Sequence, residues 1–389
     1  MAEVEIGIGK SGRMAYGFDD IAIVPSRRTR DPEDVDISWE LDAFRFELPV
    51  MGAAMDGVLS PTTAIQLGRL GGVGVLNLEG LWTRYDDPEP LFDEIADLPS
   101  DKATLRMQEI YAEPVKPELI APRIRQIRDA GVVSCASVTP QRTQAFARHL
   151  LDAELDLLVI QGTVVTAEHL SKTTEPLNLK RFVREFPIPV VVGGCASYDA
   201  ALHLMRTGAA GVLVGVGPGN ACTSRGVLGI GVPQATAVAD AKGARMRHLD
   251  ETGVYCHVIA DGGMSNGGDI AKAIACGADA VMIGSPLAAA VESPGRGHHW
   301  GMATFHPSLP RGARVRVGVR GTLEEILVGP ARENDGALNL FGALRTSMAT
   351  CGYETVKDFQ KAEVMVAPAL QTEGKALQRS QGIGMGRSG

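Results

Sequence analysis

The chain has 389 residues, 45% of them hydrophobic and only 5% aromatic, with 46 glycines, enough apolar material for one large α/β domain or two smaller ones. A formal net charge of -8 excludes a sequence-independent grip on nucleic acid, which needs a basic footprint, but leaves local basic sites for a phosphate-bearing small molecule. No signal-peptide pattern is present and no apolar run reaches the roughly 18–20 residues of a membrane span, so no membrane contact and a cytoplasmic location are expected.

In chain order, residues 1–47 read as an N-terminal arm. Short runs rich in Val, Ile and Ala follow at 49–54, 73–77, 133–138, 155–160, 189–194, 211–215, 257–260 and 280–284. Helix-like segments lie between most of them, among them 62–69, 118–129, 198–206 and 269–275, each followed closely by glycine, a common helix-ending residue. This alternation predicts parallel strands joined by crossover helices. A closed barrel and an open doubly wound sheet share that pattern, and the count of eight favours a (β/α)8 barrel, one catalytic domain over 1–389. Residues 81–120 carry proline- and acid-bearing text and read as a short linker. Residues 286–389, rich in Gly, Arg and Pro, are longer than a connection requires and read as a flap plus a C-terminal extension.

Four loops at predicted strand ends carry unusual chemistry. The first is Ala53-Ala54-Met55-Asp56. The second, GVGPGNACTSR from Gly215 to Arg225, sets Cys222 among backbone-exposing glycines, two hydroxyls and a cation, surroundings that favour a nucleophilic thiolate. The third is Asp261-Gly262-Gly263 and the fourth Gly284-Ser285. In a barrel such loops converge on one face. Glycine amides with Gly219, Asn220 and Ser285 suit a phosphate, and the Asp261 carboxylate suits a ribose diol, so the expected ligand is a nucleotide. Each piece alone is also read as plain turn geometry, and an isolated cysteine as a small buried thiol. The six cysteines show no CxxC spacing, so neither a zinc site nor a disulfide framework is expected.

The runs YGFDDIAIVPS, AAMDGV, GVGPGNACTSRGVLGIGVPQATAVADA, IADGGMSNGGDIAKAIACGADAVMIGSPLA and GALRTSMATCG, in order along most of the chain, resemble the inosine-5'-monophosphate dehydrogenase and guanosine monophosphate reductase family. The resemblance implies a (β/α)8 barrel, usually a homotetramer or octamer. The dehydrogenases carry regulatory CBS modules after the second strand, where this chain has only 81–120, so it looks most like the CBS-less, dehydrogenase-related branch. Carried over by motif, Cys222 attacks the purine C2 and Ser224 stands for a catalytic threonine. Asp261 binds the ribose, and Gly219, Asn220, Gly262, Gly263, Gly284 and Ser285 surround the phosphate. Ala53 and Met55 complete the substrate side, Met302 and Ala303 meet the base edge, and Gly215 and Thr163, with Gln161, face NAD. Carbonyls of Gly217, Gly219 and Cys222 match those that hold a monovalent cation, potassium, in many family members.

The chain departs from the family at informative places. Gln161-Gly162-Thr163 replaces an Asp-Ser/Thr-Ala/Ser run on the nicotinamide side. Cys195 replaces an asparagine. The flap lacks an Arg-Tyr pair, and Pro310-Arg311-Gly312 stands where the family has PEG, so Arg311, or Arg225, is the candidate for assisting water. The resemblance implies NAD-dependent oxidation of inosine monophosphate (IMP) to xanthosine monophosphate. Two alternatives stay open: NADPH-dependent reduction of guanosine monophosphate (GMP), and a catalytically silent purine-nucleotide-binding protein.

Overall fold

The computed structural model describes residues 3–386 apart from 174, 302, 303, 305, 370 and 371. Eight parallel strands close into a barrel: β1 (Val50–Gly52), β2 (Val73–Asn77), β3 (Cys135–Val138), β4 (Leu157–Gln161), β5 (Val190–Cys195), β6 (Gly211–Val214), β7 (His257–Asp261) and β8 (Ala280–Ile283). Each pairs with its sequence neighbours, and β8 pairs with β1 to complete the ring. This is a (β/α)8 TIM barrel, as the alternation predicts. Its strands read as continuous apolar runs because both faces are covered.

The α-helices among the described residues are α1 (Pro61–Arg69), α2 (Glu89–Asp97), α3 (Ser100–Ile110), α4 (Pro117–Arg128), α5 (Thr143–Asp152), α6 (Leu179–Glu185), α7 (Tyr198–Met205), α8 (Ser224–Leu228), α9 (Gln234–Thr252), α10 (Gly267–Cys276), α11 (Ser285–Ala288), α12 (Leu323–Leu327), α13 (Leu340–Thr350), α14 (Val356–Phe359) and α15 (Ala376–Gln381). Local chemistry starts them where the sequence indicates. Ser60 caps the Thr63 amide ahead of a proline at the first position of α1, Ser197 caps the Ala200 amide of α7, and Asn266 caps the Asp269 amide of α10. No helix among the described residues is long and apolar enough to cross a membrane.

Two cores result. One lies between strands and helices; the other fills the barrel with residues such as Met51, Val75, Leu157, Val191, Leu213 and Met282. The N-terminal arm contributes to the second. Its antiparallel hairpin, Trp39–Leu41 with Phe44–Phe46, seats Trp39, Leu41 and Phe46 in the interior cluster, with the Trp39 and Phe46 rings stacked at 5.2 Å. Strand Ile21–Ile23 pairs with Val364–Val366, tying arm to C-terminal region, and α13 packs on α10.

Residues 81–120, which read as a linker, carry α2, α3 and the start of α4, with Phe92, Ile95, Met107 and Ile110 buried. Phe92 lies between Trp82 and Trp300, at 5.7 and 6.2 Å between ring centroids. This segment holds the flap. Arg314 donates to the Ile95, Ala96 and Leu98 carbonyls at the end of α2, and Gln108 Nε2 donates to the His306 carbonyl at 2.6 Å. Beneath the flap, Trp300 Nε1 donates to the Tyr111 hydroxyl at 2.7 Å, which donates to Asp56 Oδ2; all three residues are buried.

Candidate active site

A cavity of about 630 Å³ opens at the C-terminal ends of the strands, where barrels of this kind place their chemistry. Its wall includes Ala53, Met55, Gln161, Thr163, Gly215, Gly217, Gly219, Asn220, Cys222, Ser224, Asp261, Gly262, Gly263, Gly284, Ser285 and Arg311. Of the other expected site residues, Met302 and Ala303 lie outside the described residues, and Arg225 does not line the cavity.

The cysteine loop leaves β6 through two positions that only glycine fits. A Cβ at Gly215 would stand 2.2 Å from the Asp261 carbonyl oxygen. Gly217 has φ +77°, and a Cβ there would meet Arg225 Cγ at 2.7 Å. Gln234 bridges the ends of β6 and β7, donating from Nε2 to the Val214 carbonyl at 2.6 Å and the Asp261 carbonyl at 3.2 Å. The flap pairs with the loop: the Thr223 amide donates to the Arg311 carbonyl at 2.9 Å, the Ala313 amide to the Ala221 carbonyl at 2.8 Å, and Cys222 faces Gly312 as an antiparallel bridge.

Cys222 is half-buried, with its Sγ donating to Ser224 Oγ at 3.3 Å. The other five thiols are buried, and all six are free. Cys195 donates to the Leu213 carbonyl, and burial pushes its thiol up to about 12, which leaves it inert. Arg225, one of two arginines considered for assisting water, donates to the Val216 carbonyl at 3.4 Å and the Val232 carbonyl at 2.8 Å and so clasps the two ends of the loop. Arg311 lines the cavity.

On the side expected for phosphate, Asn220 Nδ2 donates to Ser285 Oγ at 3.2 Å, and Ser285 Oγ lies 2.9 Å from His299 Nε2. Gly262 and Gly263 take φ +78° and +79°, which turns the chain sharply out of β7. Gly284 stands against Met55 and Ala53, where a Cβ would lie 3.0 Å from Met55 Sδ. Burial pushes the His299 imidazole down to about 4, so it is neutral near pH 7, and its Nδ1 finds no partner among the described residues.

Asp261 faces the cavity and is otherwise enclosed by protein. Burial pushes its carboxyl up to about 7, opposed by a hydrogen bond from Gln161 Nε2 to Oδ2 at 3.2 Å. Gln161, expected on the cofactor side, thus turns to the residue expected at the ribose. Sequence reasoning missed His299, His306 and the wall formed by Thr139, Pro140 and Gln141. The first two sit in flap text with no motif, although histidines in a predicted flap are a usable signal.

Of the three carbonyls expected around a cation, that of Gly219 accepts the Cys222 amide at 3.0 Å and keeps a second lone pair. Such neutral oxygens are the donor type a hard monovalent cation takes.

The family model described as IMP dehydrogenase / GMP reductase domain matches residues 15–376. A Mycolicibacterium smegmatis protein called an uncharacterized oxidoreductase is 50% identical over 372 residues, covering 93% of this chain and 99% of its own. An inosine-5'-monophosphate dehydrogenase from Methanocaldococcus jannaschii is 26% identical, covering 93% and 94%. The crystal structure of an IMP dehydrogenase/GMP reductase-like protein from Corynebacterium glutamicum superposes with a TM-score of 0.89 at 44% identity, covering 94% of this chain and 97% of that one.

Proposed function

Since the chain belongs to the IMP dehydrogenase / GMP reductase family of oxidoreductases, we propose that it oxidises inosine 5'-monophosphate to xanthosine 5'-monophosphate through a covalent adduct on Cys222. One observation carries this reading: the half-buried Cys222, hydrogen-bonded to Ser224, shares a single cavity with Asp261, the Gly262-Gly263 turn and the Gly284-Ser285 pair. The thiolate bonds to C2 of the hypoxanthine ring, and Asp261 accepts from the ribose diol. Gly263, Gly284, Ser285 and Asn220 receive the phosphate.

The wall of Thr139, Pro140, Gln141, Thr163 and Val164, with Leu228 and Ile230 also lining the cavity, gives the mixed apolar and polar lining that suits a nicotinamide ring and its amide. These residues would hold NAD, which would supply the acceptor for the hydride leaving C2. Water then adds to C2 and the carbon–sulfur bond breaks, returning the electron pair to Cys222 Sγ. Covalent capture divides one hard substitution into two easier steps. Arg311 orients that water, since a guanidinium stays protonated and acts by donating. A monovalent cation on the cysteine-loop carbonyls, assembly as a homo-oligomer and a cytoplasmic location belong to the same proposal.

The test is direct. Purified protein is incubated with inosine monophosphate plus NAD and, separately, with guanosine monophosphate plus NADPH, and nicotinamide absorbance is followed. Appearance of NADH in the first mixture is the expected result. Oxidation of NADPH in the second mixture alone would establish the reductase, and no change in either, with nucleotide binding retained, would leave a binding protein.

A further inference from the structure

Gln161 closes β4 and Asp261 closes β7, with β5 and β6 between them in the barrel. Their hydrogen bond, Gln161 Nε2 to Asp261 Oδ2 at 3.2 Å, therefore reaches across the barrel mouth and owes nothing to strand pairing. The Gln161 amide nitrogen also lies 3.8 Å from Met282 Sδ on β8. An amide nitrogen can only donate, so the bond requires Oδ2 to accept, and it commits one carboxylate oxygen to Gln161 while the other stays available to a ligand.

We propose that Gln161 is a positioning residue for the nucleotide: its amide holds the Asp261 carboxylate so that the second oxygen accepts from the ribose diol, and residue 161 thereby sets nucleotide affinity and its dependence on pH. This rests on the reading of Asp261 as the ribose acceptor given above. It differs from a role for Gln161 in contacting the nicotinamide.

The pH argument follows from burial. The Asp261 carboxyl is pushed up to about 7 by its enclosure, and the Gln161 bond is what opposes that rise. The other titratable side chains lining the cavity are Cys222, His299, His306 and Arg311; burial holds His299 neutral, and none of the four figures among the causes of the Asp261 shift. With Oδ2 accepting from Gln161, the proton of the neutral carboxyl falls on Oδ1, the oxygen left for the diol, and turns it from an acceptor into a donor, so affinity in the parent protein rises with pH through about 7.

Calorimetric titration of the whole protein with inosine monophosphate, without NAD, from pH 6 to pH 8 tests this. The parent is expected to bind more tightly at pH 8. Gln161→Ala should weaken binding about tenfold at pH 7, the size of one hydrogen bond to a charged group, and move the limb to higher pH. Gln161→Glu should invert the slope. At pH 6 the new carboxyl keeps its proton and donates to Asp261 as the amide does; at pH 8 two carboxylates face each other and affinity falls.

Variants that keep the parent's affinity and slope, with a raised KM for NAD, would overturn the inference and return Gln161 to the cofactor side. A parent that binds the nucleotide with these variant effects but turns over neither substrate pair would remove the proposed activity and leave the positioning role standing. No binding of any purine ribonucleotide by the parent would overturn both.

Discussion

Replacing Tyr111 by phenylalanine removes one hydroxyl at the centre of the buried relay Trp300–Tyr111–Asp56, which joins the flap base, the 81–120 segment and the loop after β1. The variant leaves the Trp300 indole N–H without its partner, worth about 1–3 kcal/mol when buried, and strips a charge-assisted bond of about 1.5–3 kcal/mol from Asp56 when that group is ionised. The combined loss at pH 8 is about 2.5–6 kcal/mol. For a chain of 389 residues, an unfolding entropy of about 2.1 cal/mol/K per residue turns this into a fall in Tm of about 3–7 °C.

The loss depends on pH in a definite direction. Burial pushes the Asp56 carboxyl up to about 6, and the Tyr111 bond opposes that rise, so the variant's carboxyl titrates higher still. At pH 5 Asp56 is protonated in both proteins and only the neutral part remains, about 1–3 kcal/mol. As pH rises through about 6, the parent ionises Asp56 against a hydroxyl donor and the variant does so without it, so the gap widens. Scanning calorimetry at pH 5 and pH 8 measures both values. A drop below about 1 °C at pH 8, or one no larger than at pH 5, would refute the relay as a source of stability.

Cys222→Ala should abolish xanthosine monophosphate formation by at least about 10³-fold while leaving calorimetric affinity for inosine monophosphate within about threefold, because only the thiolate forms the adduct. Arg311→Ala should slow release of the covalent intermediate and spare hydride transfer, so stopped-flow absorbance shows a burst of NADH followed by slow turnover; equal loss of both phases assigns Arg311 to flap structure. Gly217→Ala should lower stability by about 1–3 kcal/mol, since φ +77° disfavours a side chain and the new Cβ meets Arg225 Cγ at 2.7 Å; an unchanged Tm would show that the loop yields without penalty.

Some features are legible in the chain itself. The eight strands lie within about two residues of the sequence boundaries because a strand covered on both faces must be apolar throughout, and 73–77 matches β2 residue for residue. The cysteine loop, the Asp261 turn and the Gly284 step are legible because backbone that bends at positive φ or passes close against another segment demands glycine, and glycine marks itself. The helices α2 and α3 are not. Phe92 and Ile95 are the only buried residues of α2, too few for a period to stand out among prolines and acids.

What the sequence by itself determined is the alternation of strand and helix, the barrel count and the set of loops that line the cavity, all consequences of local backbone demands and of burial on two faces. What only the tertiary structure decided is which polar groups meet. Tyr111 lies 55 residues from Asp56 and 189 from Trp300, and Gln161 lies 100 from Asp261. No local pattern encodes such partners, because a buried donor is satisfied by whatever acceptor the closed barrel brings to it. Closure set the helices of residues 81–120 against the flap and brought the Gln161 amide to the Asp261 carboxylate, since joining β8 to β1 fixes where every strand end, and the side chain upon it, faces the cavity.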